Sequence, residues 1–222
     1  MEVTVLAVTK AFGRYCIAGM KNDGTWIRPI PQPYVIPHDE DRFWTKEQLT
    51  FDNEFIQVGD KIAIEGYAPK HLRYPNHSED FITTRIKKVG HLTVEELMVF
   101  LDRYAEDYID FKNTVNGNSG RSLCLLEVDS FYHRMTQFDG KTRITMGFNH
   151  ELYDLDNPRT NAGDFIVKDC RWEDLILKNA VPDIQHNKLF LCIGLATPFK
   201  GVDFPMVIGL MPDYEVPVAI NN

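Results

Sequence analysis

The chain has 222 residues and a net charge of −8, with 44% apolar and 25% charged residues, the profile of a globular protein of one large or two small domains. Its longest apolar run, Leu189 to Ala196, falls far short of the roughly 20 residues a membrane span needs, so no membrane is expected as a partner. Cys16, Cys124, Cys170 and Cys192 lie far apart with no CxxC pair, which argues against a disulfide scaffold and a structural zinc site.

The chain opens with Val3–Thr9, an apolar strand in place of a basic leader, which reads as the start of a cytoplasmic protein. Strands over Tyr15–Met20 and Thr25–Ile30 then fold about Lys21-Asn22-Asp23-Gly24. Trp26 and Arg28 project from one face of the third strand, because side chains alternate along it. Two readings stand for this pair. An indole beside a guanidinium can hold a flat anionic ligand, or the Arg stem can pack over a half-buried Trp as plain structure. The stretch Pro29–His38 holds four prolines in ten residues and is expected to stay extended. Further strands follow at Lys61–Tyr67 and Phe81–Val89.

The clearest helix is Thr93–Tyr104, opened by a Thr93/Glu96 capping box, with Leu97, Phe100, Leu101 and Tyr104 on one apolar face. The polar, glycine-rich run Asn113–Gly120 reads as a linker. Beyond it come strands at Ser122–Phe131, Met135–Phe138, Lys141–Phe148, Phe165–Cys170, Leu189–Leu195 and Phe204–Leu210, with a helical turn at Arg171–Lys178. Asp139-Gly140 between two alternating runs predicts a tight type I′ hairpin. The expected class is therefore all-β with minor α: two small barrels joined by one amphipathic helix. The division is residues 1–92, a connecting helix and linker over 93–120, and residues 121–222. A short echo links Tyr15-Cys-Ile-Ala-Gly19 to Leu191-Cys-Ile-Gly194.

The block Cys16-Ile-Ala-Gly19 with Trp26-Ile-Arg-Pro29 resembles the start of the bacterial and archaeal dual OB-containing domain proteins. The ending Phe190–Phe199 followed by Phe204–Leu210 resembles the close of the same family, so the likeness brackets nearly the whole chain. It implies two consecutive OB-like barrels and a role in binding nucleic acid or nucleotide, in prokaryotic conflict or stress systems. It brings no catalytic residues and no cofactor.

Charge is distributed in blocks. Residues 1–30 carry four Lys/Arg against two acids and 61–90 carry six against three, whereas 31–60 hold seven acids against two bases. An acidic chain does not grip long duplex by charge alone, so an anionic ligand has to sit in a local groove. Candidate contacts are Trp26, Arg28, Arg14 and Lys10 in the first half, and Arg134, Lys141, Arg143 and Phe138 on the predicted hairpin. The leading expectation is a non-enzymatic module for single-stranded nucleic acid or a nucleotide. The alternatives are a protein-interaction adaptor with an operon-encoded partner, and a metal-dependent nuclease using His38–Asp41 or His150–Asp156.

Overall fold

The computed structural model describes residues 1–32, 42–129, 131–148, 165–178, 188–199 and 202–216, with Phe138, Phe199 and Val202 described by their backbone alone. The first half contains β1 (Glu2–Ala11), β2 (Arg14–Met20), β3 (Trp26–Pro31), β4 (Thr50–Phe51), β5 (Glu54–Phe55), β6 (Asp60–Tyr67) and β7 (Asp80–His91). Strands β1-β2-β3-β7-β6 close into a barrel, with β6 pairing back onto β1 and β3 running parallel to β7. Two helices follow, α1 (Val94–Tyr104) and α2 (Tyr108–Val115).

The second half contains β8 (Leu123–Val128), β9 (Phe131–Phe138), β10 (Lys141–Phe148), β11 (Phe165–Val167), α3 (Cys170–Leu177), β12 (Leu189–Phe199) and β13 (Val202–Pro212). Its strand order is β8-β12-β13-β11-β10-β9. The two outer strands, β8 and β9, are consecutive in the chain. Taken as one bent first strand, they give the circuit of the first barrel again: the first strand pairs with the second and fourth, and the third lies parallel to the fifth. That five-strand circuit is the OB arrangement. The protein is thus mostly β, with two OB-like units and few helices.

The apolar runs in the sequence are explained by strands covered on both faces. In β12, Leu189, Leu191 and Ile193 enter the core of the second barrel, while Phe190 and Cys192 face the other way. In β8, Cys124 and Leu126 point inward and Leu123 and Leu125 outward. The outward residues meet Leu6, Ala7, Ala18, Met20 and Trp26 of the first barrel and Leu97, Met98 and Leu101 of α1. The two barrels therefore share a third apolar layer. At its closest point a Cβ on Gly209 of β13 would overlap the Leu6 carbonyl of β1, so glycine is required there.

Several expectations change. The run that reads as a linker from Asn113 begins inside α2, which buries Phe111 and Val115 fully and is capped by Asp107 accepting from the Asp110 N–H at 2.9 Å. The barrels are accordingly joined by two helices, of which α1 carries the expected capping box. The strand read over Phe165–Cys170 stops at Val167, because Asp169 caps α3, accepting from the N–H groups of Arg171 and Trp172. The Cys-Ile echo falls on β2 and β12, the second strand of one circuit and the fourth of the other. It is therefore no trace of duplication, although the topology itself repeats. The Asp139-Gly140 hairpin forms as expected, with φ of 53° and 68°.

Candidate functional site

A cavity of about 280 Å³ opens between the barrels. Ala7 and Lys10 of β1, Cys16 and Ala18 of β2, and Leu195, Met206 and Ile208 of β12 and β13 form its walls. Small side chains at 7, 11, 18 and 196, all alanine, leave the space open. Arg28, Arg42 and His77 line its charged side, and Lys168 adds a further cation.

The charged side is built by β3 and the entry to β7. Arg28 and Asp80 pair in register across the parallel strands β3 and β7. Arg28 Nη1 donates to Asp80 Oδ1 at 3.1 Å, and its Nη2 donates to Glu79 Oε1 at 3.1 Å and to Ser122 Oγ at 2.5 Å. Arg42 Nη2 donates to Asp80 Oδ2 at 2.5 Å. Ser122 in turn donates its hydroxyl and its N–H to Glu79, which ties the first barrel to the strand that opens the second. All six residues, Arg28, Arg42, His77, Glu79, Asp80 and Ser122, are buried. Two guanidiniums and two carboxylates balance, and paired burial is what makes such charges tolerable.

Burial disfavours the charge on Arg28, yet Glu79 and Asp80 more than offset it, so its proton is held more firmly than usual. Burial, then the Arg28 and Arg42 charges, hold the His77 imidazolium far below the ordinary range, leaving the ring neutral. Burial pushes the Cys16 thiol up against the pull of the two arginines, so it lines the cavity as a thiol rather than a thiolate nucleophile.

Phe12 stands at the rim. It lies at the turn between β1 and β2, is 71% exposed, and has φ of 53°, followed by Gly13 at 73°. A bulky residue held in the left-handed region, on the lining of a cavity, marks a position worth its strain. Its ring centroid lies 6.0 Å from that of Phe43, which also lines the cavity.

Of the residues expected from the sequence, Lys10 and Arg28 line this cavity. Trp26 does not serve as a stacking platform there. It is 5% exposed within the layer between the barrels, and its Nε1–H donates to Glu106 Oε1 at 3.1 Å. Arg14, at the start of β2, is half-buried and is not among the lining residues. Arg134, Lys141 and Arg143 lie elsewhere, exposed on the β9–β10 hairpin. The register pairs Arg134 with Thr145, Thr136 with Arg143 and Phe138 with Lys141, so all three cations occupy one face. Tyr132 shares that face, with the Arg134 guanidinium 5.0 Å from its ring centroid. The acidic stretches His38–Asp41 and His150–Asp156 lie outside the described residues.

Arg42, His77, Glu79 and Asp80 are absent from the sequence-level candidates. The last three fall in a His-Ser-Glu-Asp run that leads into β7, which marks charges entering a barrel and carries no ligand meaning by itself, and Arg42 carries no local signal.

The model of the dual OB-containing domain family matches residues 1–210. The chain belongs to that family. Among curated proteins, none matches it. Among the described residues of this dual OB-containing protein, no helix is long and apolar enough to cross a membrane.

Proposed function

We propose that this protein is a binding module for a nucleotide, held in the cavity between the two barrels. The observation that carries the reading is the cavity itself: apolar, alanine-walled space bounded by Arg28, Arg42 and His77 and by the cations Lys10 and Lys168. Flat rings suit the walls and phosphate suits the lysines. The volume fits a base and its sugar better than an oligonucleotide. The family implies binding of this class, and a place in prokaryotic conflict or stress responses is the setting it implies.

Calorimetric titration at low salt with mono-, di- and cyclic nucleotides tests the proposal. Saturable binding is expected. Lys10→Ala is expected to weaken it about 2- to 5-fold, the effect of losing roughly 0.5–1 kcal/mol at an exposed charge. Absence of binding by every nucleotide sinks the reading.

A second reading rests on a different surface. The exposed face of the β9–β10 hairpin combines Arg134, Lys141 and Arg143 with Tyr132, the mixture of cations and an aromatic that tracks single-stranded nucleic acid.

A further inference from the structure

Phe12 is a residue that neither its turn nor the core explains. With Gly13 it forms the two-residue turn between β1 and β2, closed by the pairing of Ala11 with Arg14. Both have positive φ, 53° and 73°, the combination that a type I′ turn needs and that favours Asn, Asp or Gly. The β9–β10 turn has the same combination and meets it with Asp139-Gly140. Among the described residues, the other non-glycine positions with positive φ are Asp52, Asn53 and Asp139, so Phe12 is the one large apolar side chain held in that region. Its backbone cost is one that Asn or Asp would largely avoid. Burial does not offset it. At 71%, Phe12 is the most exposed large apolar side chain among the described residues, and its contact with Phe43, 6.0 Å between ring centroids, leaves most of the ring open. What the ring has is position: it stands at the mouth of the cavity, on the same lining as Phe43 and the alanine walls.

We infer, resting on the nucleotide reading above, that Phe12 is the residue on which the base of the bound nucleotide stacks. An aromatic ring left in water at the edge of an apolar cavity gains contact when a ligand covers it, and a nucleobase covers it with a flat face of its own. Ala7, Ala11 and Ala18 keep the adjoining wall of β1 and β2 shallow, which leaves room for a planar ring beside it. A two-residue turn between paired strands also holds the Phe12 backbone in place before the ligand arrives. The strained phenylalanine thus exchanges stability for binding, as functional positions that break a local rule do. Trp26, the aromatic that the sequence favours for stacking, is buried between the barrels and has no face to offer.

Phe12→Asn separates the two roles, because asparagine suits the turn and removes the ring. Calorimetric titration of the full chain with AMP, GMP, CMP and ribose 5-phosphate, beside thermal unfolding, tests it. The variant is expected to bind its nucleotide about 5- to 150-fold more weakly, the effect of one lost base stack. Its Tm is expected to rise by about 2–4 °C as the left-handed strain is relieved. Ribose 5-phosphate, which has no base, is expected to bind the wild type more weakly than the nucleotides by a similar factor. Phe12→Trp keeps a ring and is expected to bind, with its emission quenched on titration beyond any change in the wild type. Nucleotide binding as tight in Phe12→Asn as in the wild type overturns the assignment of Phe12 while leaving a nucleotide site. So does a lowered Tm in that variant, which would show the ring packing the fold, and so does unchanged emission of Phe12→Trp at saturation. A wild type that binds no nucleotide removes both this assignment and the nucleotide reading.

Discussion

At the scale of single residues, His77 shows how a titratable group can be fixed in one state by its neighbours. Its Nδ1 is used up as an acceptor for two guanidiniums, and taking a second proton would add a buried charge beside two of the same sign. Its folded pKa therefore lies well below the ordinary 6.5, with burial the largest cause and Arg28 and Arg42 next. The sign follows from linkage. Above pH 6.5 the ring is neutral in both folded and unfolded chains, and the stability of the network is fully present. Below it the unfolded chain binds a proton that the folded chain refuses, so stability falls by about 1.4 kcal/mol per pH unit. Urea unfolding at pH 7, 6 and 5 is expected to show that loss, before most carboxylates titrate. His77→Gln is expected to be less stable at pH 7 and to have a flatter profile. A wild-type stability unchanged between pH 6.5 and 5 would count against a neutral, network-bound His77.

At the scale of elements, the β9–β10 hairpin was legible because its determinants are local. Asp139-Gly140 supplies the two positive φ values of a type I′ turn, and the turn sets the register. The register in turn places Arg134, Lys141 and Arg143 together on one face. Replacing all three with Gln is expected to leave folding intact, since exposed substitutions cost within about 0.5 kcal/mol. It should lower the salt dependence of single-stranded oligonucleotide binding by about two in log–log slope, at roughly 0.7 per phosphate contact. Mononucleotide affinity should stay unchanged. Fluorescence anisotropy across a salt series measures both, and an unaltered slope would remove the hairpin from the binding surface. Helix α2 was illegible for the opposite reason. Its Asn- and Thr-bearing sequence has weak propensity, and it is held by burying Phe111 and Val115 against the second barrel.

At the scale of the molecule, strand alternation and the opening Trp26–Pro29 block were enough to read two barrels, but neither says what covers a face. Trp26 and Arg28 share a side of β3 as expected. The layer between the barrels and the Glu79–Asp80 pair, both supplied by distant parts of the chain, decide that one is core and the other lines the cavity. The site joins residues 28, 42, 77, 80 and 122, separations no local pattern reports. The same layer makes the barrels mutually dependent. Leu6, Ala7 and Trp26 lose their cover if β8, β12 and β13 move away, and the cavity lies along that seam through Ala7, Met206 and Ile208. Unfolding is therefore expected as one transition, with far-ultraviolet circular dichroism and tryptophan fluorescence superimposing. Gly209→Ala places a methyl against the Leu6 carbonyl, which is backbone and cannot swing aside. It is expected to lower the stability of the whole molecule by about 1–3 kcal/mol, the usual cost of overpacking, and to weaken nucleotide binding with it. Two separate transitions, only one of them shifted by Gly209→Ala, would show instead that each barrel stands alone and that the seam is a surface contact.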